Sequence, residues 1–306
     1  MAPTVLVTGA TGYQGFGTAR HLLAAGIGVN ALVRDPSKPT AAALEKLGAR
    51  LCIGSFDDFD SLKAAAKGTS AVFLNVMPTI PNFDSEVQYA KNIIDAVRQS
   101  GTVTHIVYSS VAMTGKHETF PGWGPDYPMA WYWTSKAAIE SAVKSSGFQH
   151  WTILRPAFLM YNYLSPRADH MFPELPQSHV FLTAYKEDIA MTLLDPDDVG
   201  KFAAAAILDP DTYHQSEIDL GVQALTPEEI ARSLSRASGK QIKAKFYTTE
   251  EVMSLSKTNP RLTAQLWAND VGYQVDLEAL KRYPITLTSF DEYLQSKKED
   301  VQKTFS

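Results

Sequence analysis

The sequence predicts an α/β fold: a doubly wound parallel sheet with helices on both faces, followed by a smaller α+β C-terminal region. Three observations carry this prediction. Short apolar runs alternate with stretches of helical spacing through the first half of the chain. The first run, Val5, Leu6 and Val7, leads into Gly9, Gly12 and Gly15 at three-residue spacing, with Ala19, Leu22 and Leu23 at helical intervals beyond. The second run, residues 29–33, ends in Arg34.

The glycine turn has a chemical meaning. A continuous apolar run suits a strand buried on both faces, and the glycines let the chain turn sharply without a Cβ and approach a bound group closely. The start of the following helix presents unpaired N–H donors and the positive end of its dipole, which together suit a pyrophosphate. Glycine-rich turns are common, so the spacing alone carries little. With a strand before it, a helix after it and a second strand ending about twenty residues on, it reads as the dinucleotide turn of a Rossmann-type sheet. An acid at the end of the second strand binds the ribose of NAD, whereas an arginine accommodates the 2′-phosphate of NADP. The residue is Arg34, followed by Lys38 in the turn RDPSKP. Asp35 argues the other way, and a solvated surface charge is the alternative for Arg34.

Composition bounds the rest. With 306 residues, 45% of them hydrophobic, the chain suffices for one large α/β domain with a smaller appendage or for two modest ones. A net charge of −5 without a basic stripe argues against nucleic acid. The chain opens directly on a strand and no apolar run approaches membrane-spanning length, so the expectation is a soluble, cytoplasmic protein without membrane contact. Cys52 is the single cysteine, which precludes an internal disulfide and fits a reducing compartment, and its LCI setting reads as core. The seven histidines, at 21, 105, 117, 150, 170, 179 and 214, include no pair at i and i+4, so no metal site is expected.

Further along, 41–47 reads as a helix, 50–53 as a strand, 59–67 as a helix closed by Gly68, and 71–76 as a strand. Residues 85–99 carry a helical stripe of Val87, Ala90, Ile93, Ile94 and Val97 ended by Gly101, and 103–108 is the fifth strand. Ligands in such sheets bind beyond the carboxyl ends of the strands, which directs attention to 9–15, Arg34, 54–57, 75–77 and 109–111. Residues 115–133 read as a loop, broken by Pro121, Gly122, Gly124, Pro125 and Pro128 and interleaved with Trp123, Tyr127, Met129 and Trp131. It is either a wall of a substrate pocket or packing against the sheet. Residues 135–146 then read as a helix and 151–154 as a sixth strand ending at Pro156. Residues 179–185 and 189–194, joined by 186–188, resemble a hairpin, and Asp197 or Asp198 is placed to cap a helix over 199–208. Thr226, Pro227, Glu228 and Glu229 start a helix that runs to Gly239. The expected division is a dinucleotide domain over 1–157 and a smaller substrate region over 158–306, with about 195–225 returning to the first.

Tyr132 and Lys136 are four apart and share one face if helical. A lysine ammonium near a phenol favours the phenolate and brings it closer to use as an acid or base near neutral pH. The lysine can also hydrogen-bond a nicotinamide ribose, and Ser109 or Ser110 can hold a substrate carbonyl oxygen. Following the fifth strand of a dinucleotide fold, this is a constellation for carbonyl reduction.

The segments TGATGYQG, LVRDPSKP and WTILRPAFLMYNYL resemble the NmrA-like group of atypical short-chain dehydrogenases/reductases, in a layout that spans nearly the whole chain. The resemblance implies NADP(H), with Gly9, Thr11, Gly12, Tyr13, Gln14 and Gly15 at the pyrophosphate and Arg34 and Lys38 at the 2′-phosphate. Where related proteins place an Asp-Leu-like pair against the adenine, this chain has Ser55 and Phe56. Asn75, Val76 and Met77 are implied along the ribose, and Pro156, Ala157 and Phe158 beside the nicotinamide. Some members resemble NADP-binding redox sensors that commonly lack the tyrosine, and others resemble quinone, imine or carbonyl reductases. Retention of Tyr132, Lys136 and Ser110 favours a reductase. The expectation is hydride transfer from NADPH to a carbonyl, or a conjugated C=C or C=N, of a hydrophobic small molecule expected to be aromatic. Tyr132 donates the proton, Lys136 positions the ribose and tunes Tyr132, and Ser110 holds the oxygen. Trp123, Met129, Trp131, Phe158 and Tyr161 are expected in the substrate pocket. His117 is a spare donor in the same loop or a solvated histidine. The alternatives are a non-catalytic NADP(H) sensor and a non-redox isomerase or cyclase using the same pocket, in a monomer or homodimer.

Overall fold

The structure is a computed structural model that describes residues 3–79, 81–124, 126–127, 129–255 and 259–306. Pro125 and Pro128 lie outside the described residues. The first half alternates without interruption: β1 (Thr4–Val7), α1 (Tyr13–Ala24), β2 (Gly28–Val33), α2 (Pro39–Lys46), β3 (Arg50–Ile53), α3 (Phe59–Ala66), β4 (Ala71–Leu74), α4 (Ser85–Gln99), β5 (His105–Ser109), α5 (Ala130–Lys144) and β6 (His150–Pro156). The apolar runs of β1, β4 and β5 become strands because their side chains are buried on both faces, as at Val5, Leu6 and Val7, whereas β3 at the sheet edge stays partly exposed.

The strands form a seven-stranded sheet in the order Ser216–Leu220, β6, β5, β4, β1, β2, β3. β1 lies parallel between β2 and β4, with Val5 beside both Val29 and Ala71. Strand order reverses at β1 and β4, the switch point where doubly wound sheets open a crevice at the carboxyl ends. The glycine turn follows β1 at that crevice. One face of the sheet carries a core of Leu6, Val72, Leu74 and Ile106 closed by apolar residues of α3, α4 and α5. Elsewhere in this unit α1 packs on the helix Pro196–Leu208 closely enough that a Cβ on Gly200 would sit 2.5 Å from the Gly17 carbonyl carbon.

Two units divide the chain. The first comprises Met1–Gly115, Trp131–Arg155 and Pro196–Asp219, and the second Lys116–Ala130, Pro156–Asp195 and Leu220–Ser306. The second holds a three-stranded sheet, ordered Gln223–Leu225, Met191–Leu194, Phe158–Leu159, and a pair, Val180–Thr183 with Lys243–Phe246. Its core is aromatic, with Tyr163, Phe172, Phe181, Phe290 and Phe305 all buried. The helix Pro227–Ser238 starts on a full capping box between Thr226 and Glu229 and stops at Gly239 in the left-handed region, as its sequence predicts.

Four expectations need correction. The hairpin does not form: Val180–Thr183 pairs in parallel with Lys243–Phe246, and Met191–Leu194 pairs with Phe158–Leu159 and Gln223–Leu225. A short apolar run declares itself a strand without declaring its partner, and 186–188 only looked like a turn. The loop ends at α5, which begins at Ala130 rather than 135 and puts Tyr132 on a helix. The helix predicted over 199–208 begins at Pro196, so Asp197 and Asp198 lie in its first turn rather than capping it. Asp198 is fully buried and bound by Lys201 at 2.6 Å, while Asp197 takes Arg20 and His21 from α1, which hold its carboxyl well below the usual range despite its partial burial. The loop rings Phe120, Trp123 and Tyr127 gather on one another, with Trp267 5.9 Å from Phe120, and belong to the second unit rather than to the sheet.

Candidate functional site

The turn after β1 is built so that only glycine fits. Gly9 has φ +60° in the left-handed region, and a Cβ added to Gly15 would lie 2.3 Å from the Gly9 carbonyl oxygen. The Gly12 N–H donates to the Gly9 carbonyl at 2.9 Å, and α1 opens at Tyr13 with Gly12 as its N-cap. The first N–H groups of α1 thus begin beside a tight turn that has no side chain at Gly9 or Gly12. Thr8, which sequence reasoning missed, ties that turn to the neighbouring strand: the Asn75 N–H donates to its Oγ1 at 2.8 Å. Ser109 at the end of β5 donates to Gln14 Oε1 at 2.5 Å.

Three large apolar side chains are left exposed where the strands end: Tyr13 after β1 (47%), Ile53 closing β3 (66%) and Met77 after β4 (65%). Apolar groups at the carboxyl edge of such a sheet suit the faces of a flat ring system. Val76 between them is a core side chain, so only its main chain is available there. Ser55 Oγ donates to Asp57 at 2.5 Å and holds that carboxyl below its usual range, while Phe56 packs its ring 5.7 Å from Tyr89. Arg34 is exposed and pairs with no carboxylate among the described residues, and Lys38 is exposed at the N-cap of α2. Asp35 is engaged: its Oδ1 accepts from both the N–H and the hydroxyl of Ser37, which lowers its proton affinity.

In the same unit α5 carries Tyr132 and Lys136 on one face, with Lys136 Nζ 5.8 Å from the Tyr132 ring centroid. The lysine is not a lone ammonium. It donates at 2.7 Å to Glu86 Oε1 from the first turn of α4, a carboxylate only 1% exposed. Sequence reasoning missed Glu86, because an acid in the first turn of a helix is ordinary and its partner lies far along the chain. Tyr108 on β5 joins the cluster: burial pushes its phenol well above the ordinary range, and Glu86, Glu140 and Tyr132 add to that, its hydroxyl being buried without a hydrogen-bond partner among the described residues. Ser110 is buried, with its hydroxyl 3.4 Å from Thr114 Oγ1. Arg155, from the LRPAF segment, grips Glu140 with two hydrogen bonds of 2.9 and 2.6 Å and also binds Glu217, which Lys144 reaches at 2.6 Å.

The expected pocket residues are divided between the units. Trp131 belongs to the first, stacked 4.1 Å from Phe83. Trp123, Met129, Phe158 and Tyr161 belong to the second. There Phe158 is a core ring 5.5 Å from Tyr163, and Arg167 lies over Tyr161. His117 is a buried residue rather than a solvated one, set edge-on to Trp123 at 4.8 Å. Pro156 and Ala157 close and follow β6, both buried. Among the described residues no three side chains gather to hold a metal ion, and no helix is long and apolar enough to cross a membrane.

The sequence profile of the NmrA-like family matches residues 1–294. This chain belongs to the NmrA-like family. An NAD(P)H azoreductase of Xenophilus azovorans is 30% identical over 249 residues, covering 81% of this NmrA-like chain and 78% of the relative. Among solved structures, NmrA, a negative transcriptional regulator in complex with NADP, superposes with a TM-score of 0.75 at 19% identity, covering 99% of this chain and 97% of that one. The NADPH-dependent quinone oxidoreductase QOR2 of Escherichia coli, complexed with NADPH, gives a TM-score of 0.74 at 20% identity, covering 96% and 99%. Both structural likenesses establish the NmrA-like fold.

Proposed function

We propose that this NmrA-like protein is an NADP(H)-dependent reductase that transfers a hydride to a carbonyl, or a conjugated C=C or C=N, of a hydrophobic aromatic small molecule. The observation that carries the reading is the pairing, within one unit, of a turn that admits only glycine at Gly15 with Tyr132 and Lys136 on one face of α5. The residues fit the cofactor. The start of α1 suits the pyrophosphate, Arg34 is an uncommitted cation for a 2′-phosphate, and Tyr13, Ile53 and Met77 offer apolar surface. Asp35, already taken by Ser37, is poorly placed to compete as an NAD-type acid. Relatives that reduce azo compounds and quinones support the reductase class.

NADPH, when bound, supplies the hydride. Ser110 holds the substrate oxygen, and Tyr132 gives its O–H proton to that oxygen as the electron pair of the double bond moves onto it; the phenolate left behind then takes a proton from water, and solvent buffers the hydroxide. Lys136 has two N–H groups beyond the one given to Glu86, and these orient the ribose. The test is loss of reduced-nicotinamide absorbance with a panel of quinones, azo dyes and conjugated ketones. Tyr132→Phe should lower kcat by about 10²-fold or more while NADPH affinity holds. Unchanged turnover in that variant would remove Tyr132 from the chemistry, and tight NADPH binding without turnover on any substrate would favour the sensor.

A further inference from the structure

The ion pair beneath Tyr132 has a consequence for the direction of the chemistry. Glu86 is almost wholly buried and spends one oxygen on Lys136, while its Oε2 is buried without a hydrogen-bond partner. An isolated buried carboxylate is costly, so the ionised Glu86 depends on the lysine beside it. The dependence runs both ways. A lone ammonium at this position would pull Tyr132 toward phenolate, whereas a neutral pair exerts only the weaker field of a dipole.

We propose that Glu86 is a positioning residue of the site, cancelling the Lys136 charge so that Tyr132 stays a protonated phenol, the form a reductase needs, through neutral and mildly alkaline pH. This rests on the reductase reading and adds a residue and a bias to it. A phenol is the acid of carbonyl reduction, whereas a phenolate is the base of alcohol oxidation. The other groups facing the cluster leave the balance in place. From β5, Tyr108 is fully buried, and its elevated proton affinity keeps it neutral. From α5, Glu140 is held by Arg155 of β6, which also binds Glu217 and feels Asp219, and Glu217 in turn takes Lys144. Each of these cations has a carboxylate against it.

Glu86→Gln keeps an acceptor for Lys136 and removes the charge. The readout that needs no substrate is alkaline titration of phenolate absorbance, taken as the difference between each protein and the same protein carrying Tyr132→Phe. Tyr132 should ionise at a pH lower by roughly one unit or more in Glu86→Gln. It should ionise at a higher pH in Lys136→Met over the alkaline range in which the unpartnered Glu86 is ionised, followed by its carboxylate band in the infrared. The double variant, with both charges gone, should return close to the wild type. The basic limb of the kcat profile should move with the Glu86→Gln titration. Coincident Tyr132 titrations in wild type and Glu86→Gln would overturn the proposal even if NADPH turnover is robust. If Glu86→Gln fails to fold, a Lys136→Met protein whose Glu86 carboxylate is seen ionised in the infrared, yet whose Tyr132 shows no upward shift, overturns it equally. Shifts in the expected directions without turnover on any substrate would uphold the charge cancellation and sink the reductase reading.

Discussion

Arg34 and Gly15 test the nucleotide site one side chain at a time. Arg34 is exposed with no carboxylate against it, so its charge is available to an anion. Arg34→Ala should weaken NADPH about tenfold or more, as expected for a lost charge-assisted hydrogen bond, and leave NADH nearly unchanged in a fluorescence titration. Equal losses for both would undo the NADP preference. Gly15→Ala drives a methyl into the Gly9 carbonyl, so the turn must open, and both nucleotides should be lost together. Glycine spacing is legible in a sequence because its cause is local. Glu86 and Thr8 are not, because each acts on a partner that the fold alone brings near, Lys136 and Asn75.

Elements announce themselves unevenly for the same reason. The helix Pro227–Ser238 was readable to its ends because cap, proline, first-turn acids and terminal glycine are adjacent in sequence. Thr226→Ala should cost about 1 kcal/mol, read from the denaturant midpoint, with no change in NADPH binding. A cost near zero would mean that packing, not the cap, sets that helix start. The start of α5 is hidden by the proline- and glycine-rich stretch before it, whereas the four-residue spacing of Tyr132 and Lys136 puts them on one face wherever the helix begins. Strand partners are set by the fold and not by the local sequence. Val180–Thr183 is recognisable as a strand, but its parallel neighbour Lys243–Phe246 lies far along the chain, and the alternation of charged and apolar residues that suits a half-exposed strand does not say which strand it joins.

For the molecule as a whole, the parallel sheet with helices on both faces is legible from the alternation, whereas the strand order and its switch point at β1 are not, since alternation does not say which strands become neighbours. Beneath the sheet's function lies an acid sensitivity. His105 is buried between strands, its ring 5.8 Å from His150, which is 5.2 Å from His214. Burial, then the two neighbouring histidines, lowers its pKa to about 4 from 6.5. The folded form thus favours the neutral ring, and the stability this represents is present above the unfolded value and lost as pH falls through the folded one. Thermal stability should decline from about pH 6.5 toward about pH 4, by on the order of 3 kcal/mol at the acid end, and His105→Gln should flatten that slope. A wild-type slope retained in the variant would assign the loss elsewhere. The central claim is that this fold carries a hydride from NADPH to an acceptor held near Tyr132. Its most direct test is a single turnover with NADPH deuterated at the transferable position of the nicotinamide, followed by mass spectrometry of the product. The account predicts one deuterium on the reduced carbon of the product and equimolar loss of NADPH; an unlabelled product formed without NADPH loss would contradict it.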